Sequence, residues 1–150
     1  MKNLIFLVLL SLLASCAGMK KQANIVKAMD SYKFKQTSSN VYKAAAKSMS
    51  QKYVTINKVK KHVGTSTWQV IPADPKVQRR KSRNRFKVVA KSAGKGMSTL
   101  QIFREEESWF NSKWTGRVMK GRMGIYEYNV LEMLNPAKAK EIDTAAAAAK

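Results

Sequence analysis

Three hydrophobic patterns follow one another along the chain. The first is a continuous run, Leu4 to Leu13 (LIFLVLLSLL), behind a single cation, Lys2. A run of about ten residues is roughly half of what a bilayer-spanning helix needs. It reads as the h-region of a secretory signal and not as a stable transmembrane segment. Residues 17–36 then lose the apolar pattern, with Lys20, Lys21, Lys27, Lys33 and Lys35 against Asp30 alone. This stretch reads as a basic tether, with room for a short strand or helix near its end. As a coil it would reach about 25 Å.

The second pattern is helical. Thr37-Ser38-Ser39-Asn40 clusters residues that cap helices. Val41, Ala45, Ser48 and Met49 recur at helical spacing, with Tyr42, Ala46 and Tyr53 beside them and Lys43, Lys47 and Lys52 opposite, which predicts a helix over 40–52.

The third pattern alternates, and strands are expected around 53–59 and over 65–71, 85–92 and 99–104. In 65–71 Trp68 and Val70 share a side. In 85–92 Phe86, Val88 and Ala90 point inward and Val89 is out of step. In 99–104 Leu100 and Ile102 share one face and Phe103 takes the other. His62-Val63-Gly64 reads as a turn, Pro72-Ala73-Asp74-Pro75 ends a strand because proline donates no ladder hydrogen bond, and 76–84 reads as a charged loop. Ala93-Gly94-Lys95-Gly96 predicts a hairpin turn. Residues 108–121 (SWFNSKWTGRVMKG) have no clean period and read as a fifth strand or a loop packed over the core. Ile125, Tyr128, Leu131 and Met133 or Leu134 predict a helix over about 122–134. Asn135-Pro136 stops it, Pro136 suits the first turn of a short third helix through Ile142, and Ala145 to Ala149 read as a frayed tail.

The opening run closes with Leu13-Ala14-Ser15-Cys16, which resembles the lipobox of bacterial lipoproteins at all four positions. The resemblance implies recognition of Leu13, Ala14 and Ser15 by a signal peptidase, cleavage between Ser15 and Cys16, a diacylglyceryl group on the Cys16 thiol, and acylation of the new amino terminus. Two or three acyl chains hold a protein stably where one does not, so the implied partner is a membrane outside the cytoplasm. Ala17 stands where an Asp would, in the best-known bacteria, retain such a protein at the inner membrane. The implied location is the outer membrane of a bacterial cell envelope, facing the periplasm. Glu127…Leu131-Glu132-Met133-Leu134-Asn135-Pro136…Ala139…Ile142 is also similar to the C-terminal end of some uncharacterised small bacterial lipoproteins, and this implies no activity.

Together these readings predict an α+β fold, a small antiparallel sheet of four to five strands with an N-terminal and a C-terminal helix packed on one face. The expected parts are a signal peptide (1–15), the lipidated cysteine and tether (16–36), one α+β domain (37–143) and a low-complexity tail (144–150).

Charge changes the picture most. With 29 Lys and Arg against 9 Asp and Glu, the chain carries a formal +20. Removing residues 1–15 of 150 loses only Lys2, leaving 135 residues at +19, enough for one domain. Cys16 is the only cysteine, so once lipidated it leaves no thiol for a disulfide, a metal or redox chemistry. His62 is the only histidine, which excludes a His-based metal cluster, and its place beside Lys60 and Lys61 predicts a solvated ring. No cofactor is implied. Gly94-Lys95-Gly96 fails the phosphate-loop pattern twice, lacking the leading glycine and having Gly96 where a Ser or Thr belongs.

The segment Lys76 to Lys87 has seven cations in twelve residues. Arg79, Arg80, Lys81, Arg83 and Arg85 are the candidate anion-binding residues, because the guanidinium fork suits phosphates and carboxylates. A solvated loop is the competing reading. Suitable partners are anionic lipid headgroups, peptidoglycan carboxylates or an acidic protein. Nucleic acid is disfavoured, since no nucleic-acid module is recognisable and only Phe86 is near for stacking. Among the acids, Glu105 and Glu107 share a face if extended, with Glu127 a third candidate for hydrolytic chemistry. A local counter-charge to the basic surface is the simpler account. Trp109, Phe110 and Trp114 are expected to cap the core, with a docking patch as the alternative. The expected function is a non-enzymatic envelope module holding an anionic partner, the alternatives being an envelope hydrolase and a nucleic-acid-binding surface lipoprotein. Oligomeric state is left open.

Overall fold

The computed structural model of the chain describes residues 18–77 and 80–149, so Leu13, Ala14, Ser15, Cys16 and Arg79 lie outside the described residues. Residues 18–31 form a helix, α1, where a tether was expected. Three lysines hide its pattern in the sequence, but Ile25 and Met29 fall four apart and are buried in the core. Phe34, just beyond, is buried and exchanges backbone hydrogen bonds with Ser98 (2.8 and 3.0 Å). The folded body therefore begins well before residue 37.

Helix α2 (Ser38–Lys52) is the helix its stripe predicts. Thr37 caps it, accepting from the Asn40 N–H, and Val41, Tyr42, Ala45, Ser48 and Met49 are its buried face.

The sheet is antiparallel and has six strands rather than four or five: β1 (Asn57–Lys60), β2 (Val63–Thr65), β3 (Gln69–Ile71), β4 (Ser82–Ser92), β5 (Ser98–Phe110) and β6 (Lys113–Arg122). The order is β1-β2-β4-β5-β6, with β3 also paired to β4. β2 pairs the second half of β4 and β3 the first, so the single strand expected over 65–71 is broken around Trp68. Ser66 bridges the break, donating its N–H to Phe86 O and accepting the Phe86 N–H on its hydroxyl. Gly64 allows β2 to pass close to its neighbours. A Cβ there would lie 2.7 Å from Ile56 Cγ2 and 2.9 Å from Asn57 O.

Strand β4 begins at Ser82, inside the expected charged loop, whose start is a 3-10 turn (Pro75–Val77). The hairpin to β5 is the predicted one, with Gly94, Lys95 and Gly96 all at positive φ. β5 runs on through the three glutamates. The aperiodic stretch 108–121 is the β5–β6 hairpin, turned at Asn111 and Ser112 with φ of 46° and 60°. That is the left-handed two-residue turn hairpins favour, made here without glycine.

The helices lie on one face of the sheet. Phe86, Val88 and Ala90 of β4 and Leu100 and Ile102 of β5 point into them and are buried. Helix α3 (Gly124–Leu134) adds Val130 and Leu131, and Gly124 lets it approach Val26 of α1. Helix α4 (Pro136–Ala148) starts with Pro136 in its first turn and Asn135 capping the Lys138 N–H. It extends through the alanine run expected to fray. Ala146 is buried, its carbonyl accepts from Asn24 Nδ2, and Lys21 pairs with Asp143 at 2.8 Å. The tail is thus part of the fold.

One ion pair ties these pieces together. Glu127 is fully buried and takes Arg122 Nε and Nη2 on its carboxylate at 2.6–2.9 Å, and the Ile102 N–H at 2.9 Å. The remaining Arg122 hydrogen bonds go to Asp30 O and Oδ1, Met29 O and Leu100 O. Hydrogen bonding to Glu127 raises the Arg122 pKa above its ordinary value.

Because α1 supplies core side chains, Met29→Ala is expected to destabilise the protein by about 2–5 kcal/mol, the range also expected for Leu131→Ala in the core. Denaturant unfolding measures both. A cost near zero at Met29 would return 18–31 to the status of a tether.

Candidate functional site

The sheet face away from the helices carries the charge. In β4 its side chains are Arg83, Arg85, Lys87, Val89 and Lys91, and the β5 partners are Glu107, Glu105, Phe103, Gln101 and Thr99. Arg83 donates to Glu107 from Nε (2.8 Å) and Nη2 (2.5 Å), Arg85 Nε to Glu105 (2.7 Å), and Arg117 Nε to Glu107 (2.9 Å). Lys87 reaches Glu105 at 3.7 Å. A bulge at Gly116 (φ 69°) shifts β6 by one residue and brings Arg117 onto this face.

Three tryptophans close over this half. Arg83 lies between Trp68 and Trp114, its guanidinium carbon 4.6 Å from each ring centroid, and Arg85 lies 4.5 Å from Trp68. Trp109 and Trp114 are a cross-strand pair in edge contact at 4.9 Å, with Lys81 Nζ 4.8 Å from Trp109. Beneath them Glu105 and Glu107 are buried. Burial pushes the Glu107 carboxyl up, and the hydrogen bonds and charges of Arg83 and Arg117 outweigh it, holding the group below the usual carboxylate range.

Of the candidate anion-binding residues, then, Arg83 and Arg85 are engaged inside this stack and Lys81 stands at its rim. Arg80 is exposed, and Arg79 lies outside the described residues. The tryptophans cap this helix-free face and not the core under the helices. Phe110 is exposed. The three glutamates do not meet: Glu105 and Glu107 are on one side of the sheet and Glu127 hangs from α3 on the other. Burial pushes the Glu127 carboxyl up, against the hydrogen bonds and charge of Arg122. His62 is not simply solvated. It sits at φ 57° with Nδ1 3.0 Å from Ser38 Oγ.

The other half of the same face is open. There β1, β2, β4, β5 and β6 form a groove of about 460 Å³. Its floor is Val63, Val89, Phe103 and Met119, its rim Lys60, Lys61, Lys87 and Lys91, and Gln101 lies between. No carboxylate lines it among the described residues. Of these residues only Lys87 belongs to the basic segment, and it is not among that segment's candidate anion-binding residues. The available signal was Val89, out of step with Phe86, Val88 and Ala90 because it belongs to a second alternation, Lys87-Val89-Lys91, on the opposite face.

The chain matches no family model, no curated protein and no solved structure. Among the described residues no group of three His, Cys, Asp or Glu side chains could hold a metal ion, and no helix is long and apolar enough to cross a membrane.

The lowered Glu107 pKa fixes the sign of a pH dependence. A carboxyl depressed by folding contributes stability at neutral pH, and that contribution disappears as pH falls from about 4.5, the ordinary glutamate value, through the lower folded value. Glu107→Gln is expected to be less stable at pH 7 and to lose less stability across that acid window. Thermal melts from pH 7 to 2 check it, and parallel wild-type and variant curves would contradict it.

Proposed function

We propose that this chain is a lipid-anchored protein of the bacterial envelope, non-enzymatic, whose helix-free sheet face holds an anionic partner. The observation that carries the reading is the groove: four lysines, of which Lys87 also reaches Glu105, around an apolar floor with no carboxylate among its described lining residues, in a chain of net charge +20. Lysine is a compact cation that binds phosphates and carboxylates as a point charge. The anchor rests on the resemblance of Leu13-Ala14-Ser15-Cys16 to a lipobox, and the outer membrane facing the periplasm on Ala17 after it.

Binding is favoured over hydrolysis by how the acids are used. Glu107 is held by Arg83 and Arg117 and Glu105 by Arg85 and Lys87, and the sheet separates both from Glu127. Glycosidic hydrolysis wants two carboxyl groups facing each other across a cleft.

Mass spectrometry of the mature protein tests the anchor. The expected species begins at Cys16 and carries acyl chains there, and an unmodified thiol at position 16 would overturn it. The mature chain, residues 16–150 with Cys16→Ser, tests the partner. It is expected to be retained on isolated cell wall or anionic vesicles at low salt and released toward about 0.5 M, where the screening length shrinks to a few ångströms. Absent or salt-independent retention would sink that part.

A further inference from the structure

The groove is more specific than a cationic surface, and its chemistry narrows the partner. The Trp–Arg–Glu stack fills the neighbouring half of the face, so a ligand is confined to the part bounded by the β1–β2 turn, with Lys60 and Lys61, and by β6, with Met119. Lys87, Val89 and Lys91 alternate along β4, setting a cation on either side of an apolar residue. Phe103 and Met119 extend the apolar floor across β5 and β6, and Met119 is half exposed (50%).

This floor offers no backbone. Val63 pairs with Val89 and Val89 with Gln101, so the peptide groups beneath the groove belong to the sheet's own ladders. A peptide laid there would bring an N–H and a C=O every residue and find no partners for them below. A hydrocarbon chain brings none. A methionine in the floor also suits a flexible apolar guest. The favoured occupant therefore has a single anionic head for the lysines and an apolar tail for the floor.

We propose that the groove binds one anionic phospholipid, its phosphate among Lys60, Lys61, Lys87 and Lys91 and the first part of an acyl chain along Val63, Val89, Phe103 and Met119. The proposal rests on the cationic-face reading above and adds the class of ligand.

The test uses the mature chain, residues 16–150 with Cys16→Ser, so that neither the apolar signal run nor an anchor lipid competes, and soluble dioctanoyl phosphatidylglycerol below its micelle concentration. Nuclear magnetic resonance titration is expected to show saturable binding of one lipid, with shifts at Val89, Phe103 and Met119. Dioctanoyl phosphatidylcholine, without net charge, and glycerol 3-phosphate, without a tail, are each expected to bind at least about tenfold more weakly. Lys60→Gln/Lys61→Gln/Lys91→Gln is expected to weaken the phosphatidylglycerol complex at least about tenfold, since each lysine near an anionic head contributes a severalfold effect. Met119→Glu, at a half-exposed position, is expected to abolish it while the melting temperature stays near the wild-type value. Equal affinity for both lipids, equal affinity for glycerol 3-phosphate, or no effect of the lysine substitutions would each overturn the proposal. Cell-wall retention by the same protein separates the two ideas: if it persists while the lipid titration fails, the cationic-face reading stands and the lipid assignment falls.

Discussion

The arrangement of this fold depends on seating one carboxylate. Glu127 has no exposed surface, and burying a charge costs several kcal/mol unless it is paired and hydrogen-bonded. The condition is met only where four segments converge: α3 brings the carboxylate, the end of β6 brings Arg122, β5 brings the Ile102 N–H and Leu100 carbonyl, and the end of α1 brings Met29 O and Asp30. Such a pair contributes little net stability compared with apolar residues of the same volume. What it supplies is a single seat. Shifting α1 or α3 against the sheet would strand a charge without water or partner.

The sheet solves two problems on its two faces. Its helix side follows the ordinary rule, apolar residues alternating inward over a packed core. The other side has no layer over it in the described residues and must be stable against solvent in a chain with a large excess of cations. Half of it does so by stacking guanidinium groups between indole rings over buried glutamates. Each cation–aromatic contact is worth about 0.5–2 kcal/mol, more when water is excluded. The arginines thus act there as packing material. The lysine half keeps its cations unstacked, and this difference between two halves of one surface is why the proposed binding falls to the lysines.

Much of the fold was legible because each legible element carried one dominant pattern. The α2 stripe, the inward Phe86-Val88-Ala90 and Leu100-Ile102 runs, the Gly94-Lys95-Gly96 turn and the Asn135-Pro136 helix boundary each state their conformation locally, and the α+β class follows. Helix α1 was hidden because its buried face is narrow, mainly Ile25 and Met29, among many lysines. The 108–121 hairpin was hidden because Asn111-Ser112 lacks the glycine that signals such turns and because bulges at Gly116 and Gly121 break the two-residue period. The alanine tail looked frayed because Ala146 owes its burial to Asn24 and its neighbours, more than 120 residues away. For the site, Glu105 and Glu107 as counter-charge to the basic segment was readable from charge alone. Which cations they neutralise was not, since register decides that.

The burial of α1 also sets how this protein would stand on a bilayer. Between Cys16 and the described helix at residue 18 the chain can span at most about 7 Å, whatever its conformation. A lipid on Cys16 would then hold the folded body at the headgroups like a hull moored on a short line, unable to swing out toward a distant target. Anything it captures would have to be found within one molecular diameter of the leaflet.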